Sequence, residues 1–480
     1  MNISCKCWIL SNKGEYFVKK VISLLLVTVL LLGLCACGGE KTEEKTGLKA
    51  GFGRVNITPQ YPVPMGGYSG RVSDGYRDYL YVTCIAVTDG NETVLMYTMD
   101  LLNANSGSMP EEFRIAINAA TNVPMDHIFM GATHTHSSGQ YLLNNDSASK
   151  QFKQEVVAAA AKAGQDALAD LAPCQFLIAQ ENIEGMNFVR HYKIADGTYY
   201  GSNYGNPTPG IEGHAYEPDN QLTLLKFDRA EGKKDILYVG WQAHPDHAYA
   251  NGWTTLSADF PGAMRAALEF EDENLLVGYY GGASGDLNTF SEIKELNHGL
   301  GMMQYGEKLA EIVTGLMDKF QPVEGTTIKA TTKVHTFEID HSWDHMIVQA
   351  REISTLYSTK GRDYASQEGY KYGFSSSYQA NAIVNRANMG ATEDRTLGAF
   401  CIGDVGFIES KCEMFSTSAK YVKENSPFSA TLVIAGNSTY MPTEEAYDWR
   451  TYEADTSNFV KGSAEKMNED FVSMLKSLKQ

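Results

Sequence analysis

The sequence predicts an α/β fold in which layered mixed β-sheets are flanked by helices. Short apolar runs typical of buried strands alternate along the chain with stretches that have helical character. No segment of about 20 to 50 residues repeats, and no low-complexity stretch divides the chain. We therefore expect one large domain built from layers of sheet and helix.

Individual elements follow from the local pattern. The predicted strands are Tyr81–Thr88, Thr93–Met99, Ile128–Ala132, Gln221–Phe227, Ile236–Trp241, Leu275–Tyr280, Ala399–Phe407 and Ala430–Ala435. The predicted helices are Gln151–Leu171, Pro261–Phe270, Gly306–Phe320 and Ser463–Leu478. The first helix is alanine-rich and stops before a proline, and the second has a proline in its first turn.

The N-terminal segment predicts export and lipidation. The apolar run Val21–Gly33 follows two lysines and is too short for a membrane span, which needs about 20 apolar residues. The next four residues, Leu34-Cys35-Ala36-Cys37, resemble a bacterial lipobox, which implies cleavage before Cys37 and diacylation of its sulfur. A transmembrane anchor is the alternative, and the length of the run disfavours it.

This segment sets the predicted organisation of the chain. Residues 1–36 form a signal peptide, residues 37–49 a polar lipidated tether, and residues 50–480 a single catalytic domain. We expect the protein at the cell surface or in the periplasm, held to a membrane through its lipid.

Charge limits the classes of partner. The formal net charge is −18, and the leader carries more lysine than glutamate, so the processed protein is more acidic still. Nucleic acids and anionic membrane surfaces both select clustered positive charge, and the sequence therefore predicts neither as a partner. No protein partner is identifiable from the sequence.

The processed chain keeps few cysteines besides the lipidated one. Cys84, Cys174, Cys401 and Cys412 are scattered and have none of the paired spacing of zinc ribbons or thioredoxin-like motifs. We expect buried small side chains with at most one bridge.

Two histidines follow the predicted strand Ile128–Ala132, in the pentapeptide Thr133–Ser137. In an extended backbone side chains alternate with a period of two, so His134 and His136 would point to the same side and meet one metal ion. Two histidines on a polar strand face are the alternative, and further ligands decide between them.

A second pair of histidines follows the predicted strand Ile236–Trp241. Either His244 or His247 is a candidate ligand, although a lone histidine after a strand is more often a hydrogen-bonded structural residue. Two such strand ends in a chain with 11 histidines favour a metal site more than either does alone.

An ordered series of motifs resembles the N-terminal catalytic domain of the neutral (alkaline, non-lysosomal) ceramidases. Each motif is short, and their shared order carries the resemblance. The motifs are Gly51–Pro59, Met65–Tyr68, Thr98–Leu102, Ala132–Ser137, Asn187–Arg190, Ala243–Pro245, Ser257–Gly262, Gly285–Asn288, Glu413–Phe415, Tyr440–Thr443 and Tyr452–Glu453.

The resemblance implies a site for one zinc ion. Carried over by motif, its ligands are His134, His136, His244, Glu413 and Tyr440. Imidazoles and a carboxylate suit Zn²⁺, and a single carboxylate leaves the site positively charged.

The resemblance also implies a reaction, the hydrolysis of an N-acyl amide by metal-bound water, with ceramide (N-acylsphingosine) as the leading substrate. Tyr440 would loosen from the metal or donate its hydroxyl, while Arg190 and Tyr452 would hold substrate oxygens. Asp100 would orient a ligand histidine, or it is an ordinary cap or turn carboxylate.

Two departures bear on the substrate. The family has a serine in a Gly-Asp-Val-Ser-Pro-Asn element, where this chain has Gly285–Phe290, and Asn288 cannot act as a nucleophile. The family also adds an immunoglobulin-like C-terminal domain, whereas we expect only a helix after Glu453.

Two other interpretations stay open. The His-x-His could belong to a metallo-β-lactamase-like or amidohydrolase-like hydrolase of another ester or amide, although Ser138 and Gly139 replace the Asp-His continuation of the first class. The chain could instead be a non-catalytic solute-binding lipoprotein whose pocket is lined by the tyrosine-rich stretch Tyr192–Tyr216.

Overall fold

The structure is a computed structural model. It describes residues 47–67, 70–105, 109–142, 146–201, 210–230, 232–248, 254–436 and 438–480. The predicted signal peptide, Cys37 and most of the predicted tether lie outside the described residues, as does Tyr68. Within the described ranges, no helix has both the length and the apolar composition needed to cross a bilayer.

The strands and helices cover most of the described chain. The strands are β1 (Lys49–Asn56), β2 (Gly75–Tyr76), β3 (Tyr81–Thr88), β4 (Thr93–Met99), β5 (Ile128–Ala132), β6 (Ala172–Asn182), β7 (Phe188–Val189), β8 (His191–Ile194), β9 (Tyr199–Gly201), β10 (Ile211–His214), β11 (Gln221–Arg229), β12 (Asp235–Trp241), β13 (Thr255–Leu256), β14 (Leu275–Gly281), β15 (Leu287–Asn288), β16 (Gln321–Pro322), β17 (Ile328–Glu338), β18 (Thr392–Ile402), β19 (Val405–Ser410), β20 (Glu413–Met414), β21 (Ala430–Ala435) and β22 (Tyr440–Met441). The helices are α1 (Met109–Thr121), α2 (Ser147–Ala169), α3 (Asp259–Glu271), α4 (Met302–Thr314), α5 (Ile347–Lys360), α6 (Arg362–Tyr370), α7 (Ser377–Arg386), α8 (Ser416–Glu424), α9 (Glu444–Asp448), α10 (Tyr452–Thr456) and α11 (Ser463–Lys479).

Two large sheets form the centre of the fold. The first has nine strands in the order β14-β12-β11-β6-β1-β3-β4-β5, with β16 also pairing with β6. The second has the order β17-β18-β19-β21. In the first sheet, β1 and β6 pair through only two residues of each strand, so this junction divides the sheet into two halves. Both halves and the second sheet enclose one apolar core, which includes Ile85, Tyr238 and Phe407.

Helices cover the outer faces of these sheets. Apolar residues of α1 and α2 pack on the half that contains β3, β4 and β5, and those of α3 and α4 pack on β11, β12 and β14. Helices α8 and α11 cover the second sheet. Helix α2 lies close to β1 because Gly53 has no side chain; a Cβ there would lie 2.0 Å from the Ala163 carbonyl oxygen. This arrangement confirms the predicted layered α/β fold class.

The sequence located most buried strands. The bounds of β3, β4, β5 and β21 are those predicted. The single predicted strand Ala399–Phe407 is wrong, because the chain turns at Gly403, which has a φ of 55°, and forms the antiparallel pair β18 and β19. The four cysteines of the described chain are buried and none of them is in a disulfide, so the one bridge that we allowed for is not formed.

The carboxyl ends of several strands meet at one place. Strand β5 runs parallel to β4, β12 to β14, and β19 to β21. A Cβ added to Gly131 near the end of β5 would lie 3.1 Å from the Ala435 carbonyl oxygen at the end of β21, and one added to Gly281 of β14 would lie 3.3 Å from the Ala132 carbonyl oxygen. Ligand sites of α/β sheets commonly lie beyond such strand ends, and the candidate residues follow them here.

Candidate metal centre

The Thr133–Ser137 pentapeptide leaves the sheet after β5. His134 has a φ of 68°, in the left-handed region, so the extended backbone that we expected through the two histidines is wrong. Its amide donates to the Leu101 carbonyl oxygen at 3.0 Å, which holds the chain in this turn. A left-handed conformation at a non-glycine residue is strained, and such strain is frequent at functional sites.

Three histidine rings nevertheless converge. The Nε2 atom of His136 lies 3.4 Å from Nε2 of His134 and 3.0 Å from Nε2 of His244. Two nitrogens that bind one zinc ion tetrahedrally at about 2.0–2.1 Å are about 3.3 Å apart. A metal site needs several histidine, cysteine or acidic side chains close together. Within the described ranges, one group meets this condition, and it consists of His134, His136 and His244. His247 points elsewhere, and its Nε2 atom lies 2.9 Å from the Thr289 hydroxyl.

The second ring nitrogens of two of these histidines face backbone carbonyls. Nδ1 of His134 lies 2.6 Å from the Leu102 carbonyl oxygen, and Nδ1 of His244 lies 3.4 Å from that of Ser284. Such contacts fix the tautomer that presents Nε2 to a metal. The structure does not place Asp100 in this role, since its two carboxylate oxygens accept from Arg265 at 2.9 and 2.6 Å.

Burial disfavours the protonation of two of the three rings. It lowers the pKa of both His136 and His244 well below the ordinary value, and the neighbouring His134 and Arg190 act in the same direction. Neutral imidazoles have a free lone pair for a metal ion. Desolvation therefore disfavours the protonation of His136 and His244 and prepares these two rings to bind a cation.

Glu413 and Tyr440 lie side by side beyond the second sheet. They are register partners in the parallel pair β20 and β22. Oε2 of Glu413 lies 3.5 Å from Nε2 of His134, and it is buried with no hydrogen-bond partner among the described residues. A buried carboxylate oxygen that lacks a donor is costly, and a metal ion would satisfy it. The donor set therefore fits a zinc ion held by three imidazoles and a carboxylate.

Tyr440 has a hydroxyl that resists ionisation. Burial raises its pKa well above the ordinary value, the Glu413 carboxylate adds to this, and Arg190 partly opposes it. The ring of Tyr452 lies edge-on at a centroid distance of 5.7 Å, and the Arg190 guanidinium lies 5.5 Å from the Tyr440 ring centroid. The three residues predicted to act on substrate are thus neighbours; their contact with substrate stays a prediction.

Arg190 is held by a buried ion pair. Its Nε atom donates to Glu453 at 2.7 Å and its Nη2 atom to the Gly285 carbonyl oxygen at 2.6 Å. The second carboxylate oxygen of Glu453 lies 2.8 Å from Nε2 of His191. Burial alone would raise the pKa of Glu453, but the charges of Arg190 and His191 outweigh it and lower the pKa to about 2. Glu453 is therefore ionised and positions Arg190.

Asp286 anchors the loop after β14. It accepts from the Ser416 amide and hydroxyl, both at 2.7 Å, and from the Tyr216 hydroxyl at 3.0 Å. Sequence reasoning assigned no role to His191, Glu453 or Asp286, and it gave Tyr216 only as the end of the tyrosine-rich stretch that could line a solute pocket. Glu453 and Asp286 lie within motifs of the resemblance, which is the one signal that pointed to them.

Asn288 lies in β15, the short strand that directly follows Asp286. It is 4 % exposed and pairs with Phe188 across the short ladder of β15 and β7. The residue that replaces the family serine is thus part of a strand that supports Arg190, which follows β7.

The chain is similar to known proteins in structure and not in sequence. No protein-family model matches the chain, and no curated protein sequence matches it. The structure is similar to the crystal structure of neutral ceramidase from Pseudomonas aeruginosa, with a TM-score of 0.66 and 15% sequence identity over 90% of this chain and 74% of that chain. It is also similar to a ceramidase complexed with C2, with a TM-score of 0.62 and 14% identity over 90% of this chain and 75% of that one. The chain therefore has the fold of the neutral ceramidases.

Proposed function

We propose that this protein is a zinc-dependent hydrolase of the neutral ceramidase family that cleaves a linear N-acyl amide bond. The observation that carries the proposal is the convergence of the His134, His136 and His244 rings, with an unpartnered Glu413 oxygen beside them. The ceramidase fold supports a ceramide-like substrate, N-acylsphingosine, as the first choice.

The metal would be held by the three Nε2 atoms and by Glu413, with Tyr440 adjacent. A bound zinc ion supplies a Lewis acid and an activated water near neutral pH. The lowered pKa values of His136 and His244 keep their lone pairs free for it, and the buried setting strengthens every charge interaction at the centre.

Tyr440 is the group placed to donate a hydrogen bond to a developing oxyanion. Its hydroxyl stays protonated because burial and Glu413 raise its pKa. A preorganised donor of this kind contributes most where negative charge develops in the transition state. Arg190 adds a fixed positive charge beside the tyrosine, and the Glu453 ion pair prevents the guanidinium from swinging away.

Asn288 favours a direct hydrolytic route. Its amide has no nucleophilic oxygen, so an acyl-enzyme at the position of the family serine cannot form. Direct attack by an activated water needs no side-chain nucleophile and is compatible with this residue.

The same proposal includes a lipid anchor at Cys37, which would hold the protein to a membrane at the cell surface or in the periplasm. A lipid substrate is concentrated in membranes, so tethering would bring the centre close to it. Metabolic labelling with a fatty-acid analogue should mark the wild-type protein and leave a Cys37→Ala variant unlabelled; equal labelling of both would overturn the anchor.

Product analysis tests the reaction. The purified protein, loaded with zinc, is incubated with N-acylsphingosines, N-acyl amino acids and simple esters, and released acid and amine are measured by mass spectrometry. We expect equal amounts of fatty acid and amine from at least one amide. Release of acid from none of the amides would overturn the proposal.

A matched pair of variants separates catalysis from contamination. His244→Ala removes one proposed ligand, whereas His247→Gln alters a histidine three residues away that binds Thr289. The product should disappear with the first variant and persist with the second.

A further inference from the structure

A row of four tyrosine rings leads away from the metal centre. The ring centroid of Tyr440 lies 5.7 Å from that of Tyr452, and the centroid of Tyr452 lies 5.3 Å from that of Tyr378. The ring of Tyr357 follows at a centroid distance of 6.0 Å from Tyr378. We call these four residues the tyrosine row. It begins beside the proposed metal ligand Glu413, the register partner of Tyr440.

The tyrosine row has surface that a ligand can reach. Each of its four residues is partly exposed. Within the described ranges, none of the apolar cores includes the ring of Tyr440, Tyr452 or Tyr378, whereas Tyr357 packs against the core of its own helices. Neighbouring rings that keep exposed surface form one continuous aromatic strip. Exposed apolar surface of this kind commonly marks a ligand-binding groove.

The outer half of the tyrosine row belongs to helices α5, α6 and α7, which pack around a small core of their own. Helix α7 is fixed to α10, the helix that carries Tyr452. Gln379 donates to the Asp455 carboxylate at 3.2 Å, and Arg386 donates to the Asp455 carbonyl oxygen at 3.3 Å. Tyr378 is thus held against Tyr452. None of the motifs of the ceramidase resemblance falls within these three helices, so that resemblance assigns no role to Tyr378.

The direction of the row relative to the reaction indicates what it holds. Tyr440 is placed to donate to the oxygen on the carbonyl carbon, and the acyl chain of an amide begins at that carbon. The amine half begins at a nitrogen that must gain a proton, which requires polar surroundings. An acyl chain has no hydrogen-bonding group beyond the carbonyl and gains free energy wherever aromatic faces remove it from water. The acyl half therefore fits the tyrosine row.

We propose that the tyrosine row binds the acyl chain of the substrate and that Tyr378 is the residue that sets the preference for long chains. A short acyl group would end beside Tyr440 and Tyr452, and a long one would continue over Tyr378 toward Tyr357. This inference rests on the proposed function, which supplies the position of the carbonyl carbon.

Fatty-acid binding tests the row without requiring hydrolysis. The full-length protein, loaded with zinc, is titrated calorimetrically with butanoate and with dodecanoate. Tyr378→Ala should weaken dodecanoate binding about tenfold or more and leave butanoate binding within about twofold. Full burial of one methylene group corresponds to about fourfold in affinity, so the loss of two such contacts gives this effect. Equal dodecanoate affinity in wild type and Tyr378→Ala, or an equal loss for both acids, would overturn the proposal.

Two further variants serve as controls. Tyr378→Phe keeps the ring and removes the hydroxyl, so dodecanoate binding should stay within about twofold of wild type. Tyr364→Ala removes a ring of the same group of helices that is 52% exposed, and it should leave both affinities unchanged. A loss of dodecanoate binding in Tyr364→Ala as large as that in Tyr378→Ala would overturn the assignment of Tyr378.

Hydrolysis separates the acyl half from the amine half. The ratio kcat/KM is measured in mixed micelles at one mole fraction for two series, N-acylsphingosines from acetyl to stearoyl and N-acetyl alkylamines of increasing length. Tyr378→Ala should reduce the dependence on length in the first series alone. A reduction in the amine series instead would overturn the acyl assignment. Hydrolysis of no amide by the wild type would overturn the proposed function, and dodecanoate binding would still support or overturn the row as an alkyl-chain site.

Discussion

Two clusters of buried polar side chains lie near each other. They differ in whether their polar atoms have hydrogen-bond partners within the protein. In the cluster of Arg190, Glu453 and His191, each carboxylate oxygen of Glu453 has a partner, at 2.7 and 2.8 Å. In the cluster of His134, His136 and His244, ring nitrogens face one another, and an oxygen of Glu413 has no donor among the described residues.

The difference separates a positioning network from a metal centre. The first cluster is complete within the protein, so removing a member should cost folding free energy. The second cluster presents acceptors to a common point, so removing a member should cost metal binding and activity.

The largest effect is expected from His136→Ala. His136 is within 3.4 Å of both other rings, so its loss opens the centre on two sides. We expect zinc content to fall below one tenth of the wild-type content and amide hydrolysis to fall by about 1,000-fold or more, since even residues behind metal ligands are worth about 10–100-fold. Metal analysis and product release measure both; full zinc content in the variant would contradict the assignment.

Removing the charge of Glu453 should give the opposite result, a loss of folding stability with zinc binding retained. Glu453→Gln leaves the Arg190 charge buried without its counter-ion, and Glu453 itself is 1% exposed. We expect the free energy of unfolding to fall by about 3 kcal/mol or more. Urea unfolding measures this change, and zinc content should stay near one ion per chain. Loss of zinc with unchanged stability would show that Glu453 belongs to the metal centre and not to a positioning network.

Acid should affect the same ion pair. The pKa of Glu453 is lowered from 4.5 to about 2, so its stabilisation is fully present above pH 4.5 and is lost as the pH falls toward 2. The shift corresponds to about 3 kcal/mol. The difference in unfolding free energy between wild type and Glu453→Gln should therefore shrink between pH 5 and pH 2.5. A difference that is independent of pH would contradict the charge argument.

Tyr440→Phe tests whether Tyr440 acts in catalysis or as a metal ligand. The variant removes the hydroxyl and keeps the ring that contacts Arg190 and Tyr452. We expect kcat to fall about 100-fold, as for the loss of one oxyanion donor, with zinc content retained. A fall in zinc content of the same proportion would instead make Tyr440 a required ligand.

The smallest effect is expected from His247→Gln. This histidine lies in the same loop as His244 but contacts Thr289, and its side chain is outside the converging group. Zinc content should be unchanged and activity should change by less than about threefold. Loss of the metal would show that His247, and not His244, is the ligand from this loop.

The sequence predicted the fold class and the buried strands because apolar runs and helical periodicity are local signals. It predicted one strand through Ala399–Phe407 because the two-residue turn signal Gly403-Asp404, which lies between two apolar runs, was not recognised as a hairpin. Convergence of the histidines was anticipated for the wrong physical reason, since alternation along a strand does not apply to His134, whose φ is 68°.

The ion pairs of the site could not be predicted from the sequence, because their members lie far apart along the chain. Asp100 was a candidate either to orient a histidine or to act as a cap or turn carboxylate, yet its partner Arg265 lies 165 residues later. The Arg190–Glu453 pair joins residues 263 positions apart. Neither pairing has a local pattern, and dozens of carboxylates compete for each basic group.

The central claim is that the three-histidine cluster is a metal-dependent hydrolytic centre. The most direct measurement is a zinc titration of the metal-free protein during hydrolysis of an N-acylsphingosine, with released fatty acid as the readout. We predict negligible release without metal, a linear rise up to one zinc ion per chain, and no rise for His136→Ala. Full activity in the metal-free protein, or no release at any zinc concentration, would contradict the claim.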